Sequence, residues 1–235
     1  MFPIRDSQPT QRVPVVTWML ILGTVAAFVY QLLLDDARFN ELVYLCGIVP
    51  ARWLDPKWAR SMGFPPHDFW PFLTSMFLHG SWLHLIGNMW ALAIFGDNVE
   101  DRLGHVRFLL LYVLGGLAAG VLHFITNPMS QVPTIGASGA IAGVMGAYFV
   151  LFPRSRVLTL IPIGCIPIPL QLPAIVYLGL WFVLQFFSAT ATLVGSTRTG
   201  GIAWWAHVGG FLAGIALLRV LAPKRRAAAY SATDS

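Results

Sequence analysis

Six apolar runs, each bounded by charges or by proline or glycine clusters, constrain this chain more than any other feature: Val15–Leu34, Trp82–Phe95, Phe108–Ile125, Ala137–Phe152, Leu170–Thr192 and Ile202–Leu221. A chain that is 57% hydrophobic and 11% charged would expose much of its apolar surface if it folded in water, so the bilayer is its natural solvent. A helix suits that solvent because it satisfies its own backbone polar groups. The expected fold is therefore an all-α membrane protein with six transmembrane helices in a compact bundle. Between the first two spans, the Asp35–Ser81 stretch is too long for a turn and too amphipathic for disorder. It is expected to lie partly in the interface, with Trp53, Trp58 and Trp70 at headgroup depth. The first run holds 20 residues and has no small-x-small site before Asp35 and Asp36, so it is expected to remain as a signal anchor. Residues 1–14 then form a cytoplasmic N-terminal segment, 15–222 one membrane domain, and 223–235 a basic cytoplasmic tail.

Charge orients this arrangement. With the N-terminus inside, ten of the fifteen Lys and Arg residues fall on inner segments while the acidic residues divide five and five, leaving the inner side at +5 and the outer side neutral. An excess of basic residues on the cytoplasmic side favours both termini inside. The same basic residues are scattered over loops and the tail, not gathered on one face, which argues against a nucleic-acid partner. Cys46 and Cys165 are far apart and in no ligand-like spacing, so neither a disulfide framework nor a zinc finger is expected.

In this topology spans two, four and six all run from outside to inside, and their starts share one depth. Those starts carry His84 and Asn88, then Ser138, then His207. Polar groups in hydrocarbon cost several kcal/mol unless partnered, so such a coincidence marks a cavity or a site. Spans two and four, at 14 and 16 residues, are shorter than the roughly 17 to 25 that cross the hydrocarbon, which would sink their outer ends beneath the surface around a wet pocket. Each residue alone has a plain packing explanation: a serine between glycine and alanine suits close helix contact, and His84 and Asn88 at i, i+4 suit an interhelical bond. Glycine follows the same plan, with Gly139, Gly143 and Gly146 after Ser138, and Gly210 and Gly214 after His207. Small-residue faces of this kind let two backbones nearly touch, which a Ser–His bond between helices requires.

The chain has no Asp or Glu between Arg102 and Thr233, which removes an aspartyl dyad from the later spans, and no HExxH zinc site occurs anywhere. No metal or other cofactor is expected. A Ser-His-Asp triad lacks its third member near His207, so a nucleophile here would work as a Ser–His dyad, its imidazole held by packing. The G-x-S-x-G elbow of soluble hydrolases is absent because Ala140 stands where its second glycine would be.

From Val15 to Leu221 the residues resemble the rhomboid proteases. Phe77-Leu-His-Gly-Ser-Trp-Leu-His84-Leu-Ile-Gly-Asn88 is similar to the family's second-helix signature, Gly136-Ala-Ser138-Gly139 to its GxSG motif, and Ala206-His207-Val-Gly209-Gly210 to its sixth-helix AHxxG motif. The resemblance implies an intramembrane serine endopeptidase in which Ser138 attacks the scissile carbonyl and His207 carries the proton. His84, Asn88 and the Ser138 N–H would form the oxyanion hole, and His79 would tie the long loop to the helices. It also implies single-span membrane proteins as substrates, cut near the outer face at small residues, with access past Trp181, Phe182, Phe186 and Phe187 and with a cap formed by the loop Gly195–Gly201. The chain departs from the family in two places. Pro71, not arginine, follows Trp70, and Ala142 stands four positions after the serine, where some members pack an aromatic ring on the histidine. His67, His105 and His123 match no motif. A different class is a catalytically silent relative that binds transmembrane clients, which loss of Ser138 or His207 would signal. A transporter would instead need ionisable residues along a path through the bilayer.

Overall fold

The computed structural model describes residues 1–65, 68–163, 166–194 and 203–222. Helices form at all six apolar runs: α1 (Val15–Leu32), α6 (Trp82–Leu103), α7 (His105–Thr126), α8 (Ser138–Leu151), α9 (Ala174–Val194) and α10 (Trp204–Leu221). Four of them, α1, α7, α9 and α10, are long and apolar enough to cross a membrane. The stretch between α1 and α6 is ordered into α2 (Asp36–Cys46), α3 (Ala51–Leu54), α4 (Pro56–Ser61), α5 (Pro71–Thr74) and a 3-10 turn over Ser75–Phe77. Local chemistry sets these starts. Asp35 accepts from Arg38 N at 2.9 Å, Asp55 from Trp58 N at 3.0 Å with Pro56 in the first turn, and Ser81 from His84 N at 3.2 Å, each relieving an amide that the helix itself cannot satisfy.

The second helix runs past the expected end at Phe95 to Leu103, 22 residues in all. Its polar continuation is held because buried Glu100 accepts from Val16 N at 2.8 Å and from Thr17 N and Oγ1 at 2.7 Å. Glu100 thereby caps α1, whose own preceding residue, Pro14, offers no side-chain cap. His105, which no motif explained, adds a contact to Glu100 at 2.5 Å.

The all-α expectation is corrected by a three-stranded antiparallel sheet in the order β1 (Phe2–Asp6), β2 (Arg156–Ile163), β3 (Ile166–Pro173). The fifth helix accordingly starts at Ala174, not Leu170. Residues 1–14 are likewise more than a tail. Trp90 Nε1 donates to Pro3 O at 2.7 Å, Asn98 Nδ2 to Asp6 Oδ2 at 3.0 Å, and the Tyr148 hydroxyl to the same carboxylate. Burial pushes the Asp6 carboxyl up to about 6.

Helix α8 is the centre of the molecule, with every residue from Gly139 to Tyr148 buried. Its glycines explain how. A Cβ at Gly210 would come within 2.0 Å of Gly139 O, one at Gly214 within 1.9 Å of Gly143 O, and one at Gly146 within 2.1 Å of Phe211 O. Helices α8 and α10 are thus in backbone contact, an approach open only to glycine.

Candidate active site

Ser138 is the first residue of α8, after Gly136, whose φ is +129° and whose N–H donates to Ser75 O at 2.8 Å. That φ lies in the region favouring glycine, and a Cβ there would meet the His84 ring at 2.8 Å. The chain therefore turns into α8 directly against α6. The first-turn amides of a helix have no intrahelical acceptor, and Ala137 gives α8 no side-chain cap; Ser138, Gly139 and Ala140 of that turn line a cavity.

From α10, His207 brings Nε2 to 2.8 Å from Ser138 Oγ, although the two residues are 69 apart in sequence. The glycine-to-backbone contacts of Gly139 with Gly210 make this distance possible. His84 and Asn88 lie one turn apart on α6, flanking Gly136. Asn88 is buried and donates from Nδ2 to His79 Nε2 at 2.9 Å. His79 is fully buried, and its backbone exchanges bonds with the Gln31 amide on α1, at 3.0 Å and 3.2 Å. Burial, with His84 alongside, lowers the pKa of His79 to about 4, so it is neutral at physiological pH. Ser138, His207, His84 and Asn88 all line one cavity of about 1370 Å³, which Trp181, Gln185 and Trp204 also line.

Two contacts of His207 went unread in the sequence, which gave Gln185 no role and named Trp181 only for the access path. Gln185, buried on α9, accepts from His207 Nδ1 at 2.7 Å. Trp181, one turn earlier, lies 5.9 Å from the imidazole centroid at an interplanar angle of 34°, and Trp204 meets the ring edge-on at 6.1 Å. The ring support absent at Ala142 thus comes from α9. The i, i+4 spacing of Trp181 and Gln185 was available as a signal, but an aromatic and an amide in an apolar helix point to no particular partner.

The other named residues have clear places. Pro71 opens α5, and a buried arginine of the loop, Arg52, pairs with Asp68 at 2.7 Å and lies 4.9 Å over the Phe64 ring. His123 bonds Thr134 at 2.8 Å, securing the segment that leads to Gly136. Phe182 packs on Phe211 at 4.9 Å, while Phe186 and Phe187 are exposed. The loop Gly195–Gly201, His67 and the tail 223–235 lie outside the described residues. Among the described residues, no three His, Cys, Asp or Glu side chains gather around a position that could hold a metal ion.

Comparison with known proteins adds a family. The model of the Rhomboid domain matches residues 66–224. Putative rhomboid protease YdcA of Bacillus subtilis is 33% identical over 96 residues, 41% of this chain and 48% of that protein. Rhomboid protease GluP of the same organism is 34% identical over 150 residues, 64% of this chain and 26% of its own length. Presenilin-associated rhomboid-like protein A, mitochondrial, of Danio rerio is 31% identical over 165 residues, 67% of this chain and 43% of its own. The matches span about half or less of each of these relatives.

Proposed function

This chain belongs to the rhomboid family, and from that premise we propose that it is an intramembrane serine endopeptidase that cuts transmembrane segments near the outer face through a Ser138–His207 dyad. The observation that carries this reading is the 2.8 Å contact between Ser138 Oγ and His207 Nε2 inside a cavity of about 1370 Å³. Ser138 Oγ attacks the scissile carbonyl carbon while its proton passes to His207 Nε2. The C–N bond then breaks as that proton goes to the leaving amine. Water hydrolyses the acyl-enzyme, and His207 returns a proton to Ser138 Oγ. The negative charge on the carbonyl oxygen is met by the Ser138 N–H at the open start of α8 and by His84 and Asn88 on α6. In a low-dielectric protein interior, such preorganised donors are worth far more than in solution. The bundle is read as six spans, with α6 and α8 joining the four long apolar helices, both termini in the cytoplasm and the cavity opening outward. The substrates are transmembrane proteins whose helices unwind into the cavity.

A fluorophosphonate probe is expected to label the detergent-solubilised protein and to leave Ser138→Ala unlabelled. Equal labelling of the two would defeat the reading. No labelling of a folded wild type, with binding of transmembrane peptides retained, would favour a silent client-binding relative instead.

A further inference from the structure

We propose that Gln185 is a positioning residue of the dyad, fixing His207 in the one tautomer and ring orientation that can take a proton from Ser138. The proposal rests on the protease reading above and names a third member for a site that lacks a carboxylate. A neutral imidazole carries one N–H, and only the form protonated on Nδ1 presents a lone pair on Nε2. Gln185 Oε1 accepts from Nδ1 at 2.7 Å, while Nε2 faces Ser138 Oγ at 2.8 Å, so the two bonds select that form together. Rotation of the ring is opposed at the same time by Trp181, tilted 34° to it at 5.9 Å, and by Trp204, perpendicular to it at 6.1 Å. Gln185 is buried, which limits the competition of water for its carbonyl oxygen. Among the described residues lining the cavity there is no Asp or Glu, and the other titratable side chains are His84, His123 and Tyr177. An amide differs from a carboxylate in one respect that matters here. It orients the imidazole through a hydrogen bond but adds no negative charge to stabilise the imidazolium that forms during acylation.

Three variants of the full-length protein separate orientation from packing, assayed by cleavage of a transmembrane peptide and by thermal melting. Gln185→Met keeps the length and volume but removes the acceptor, and is expected to lower kcat about ten- to a hundredfold with KM within about twofold. Gln185→Asn withdraws the acceptor by one methylene and should lose activity likewise. Gln185→Glu restores the acceptor and adds charge, so kcat should recover relative to Gln185→Met and the acid limb of the pH profile should move to higher pH, because a carboxylate favours the imidazolium. Wild-type kcat and an unchanged acid limb in Gln185→Met would overturn the proposal. Should the variants melt too low to assay, 15N spectra of histidine-labelled wild type, assigned with His207→Gln, decide it alone. A proton on Nδ1 supports the proposal, and one on Nε2 overturns it. This readout is independent of cleavage, so it can fail while serine labelling succeeds, and the reverse.

Discussion

Asn88 lies between the loop and the cavity. Its Nδ2 donates to His79, which joins α6 to α1 through Gln31, and the residue lines the cavity that Ser138 also lines. Asn88→Ala is therefore expected to reduce the single-turnover acylation rate by about 10²–10³, the usual loss of one oxyanion donor. The accompanying loss of stability should be about 1–3 kcal/mol, because the substitution leaves buried His79 Nε2 without its donor. Unchanged acylation in a folded Asn88→Ala protein would remove this residue from the oxyanion site. His79 shows the complementary case. It sits beside the same residues, yet it is fully buried and bonded away from Ser138, so its role is to hold α1, the long loop and α6 together.

At the scale of elements, the close approach of α8 and α10 is the condition for the site. Gly214 lies two helical turns from His207, so substituting it changes the packing without touching the reacting groups. A methyl group there would clash with Gly143 O at 1.9 Å and must push the backbones apart. Gly214→Ala is expected to destabilise the protein by about 1–3 kcal/mol, the range for overpacked interiors, and to depress labelling of Ser138 by lengthening the Ser–His contact. A variant that melts and labels like wild type would show that the interface can yield without cost. The sheet is the element the sequence concealed. Its prolines look like breakers, but the register pairs Pro162 with Pro167 and places Pro169 and Pro173 two and six residues further on, in the same phase. Residues in one phase of an antiparallel ladder point their N–H groups to one side, so on β3 the missing donors fall on the free outer edge. Ile168, Leu170 and Leu172 keep theirs for β2. An edge strand without those donors also resists pairing with another chain.

For the whole molecule, the proposed orientation, with both termini in the cytoplasm, rests on the charge distribution. With Cys46 and Cys165 replaced by serine, a single cysteine introduced at Lys57 is expected to react with an impermeant maleimide added outside intact cells. One introduced at Gln8 should react only after the membrane is opened. The opposite pattern would invert the topology and turn the Ser138 cavity toward the cytoplasm. The sheet connects to the same scale, because β1 contacts α6 through Trp90 and Asn98 while β2 and β3 lead directly into α9. The segment before α1 is thus built into the bundle.

The helices at the apolar runs, the glycine faces and the grouping of Ser138, His207, His84 and Asn88 were legible along the chain. Apolar length, residue size and the rarity of polar groups in hydrocarbon are local properties, and each leaves its mark within a few turns of helix. The polar end of α6, the sheet and the contacts of Gln185 with His207 were not legible. Glu100 prolongs its helix because it caps another one, β1 is a strand because β2 lies beside it, and Gln185 matters because α9 turns it toward an imidazole 22 residues away. Such features depend on a partner distant in sequence. A hydrogen bond has no meaning until both of its ends share a place, and only the folded chain supplies that.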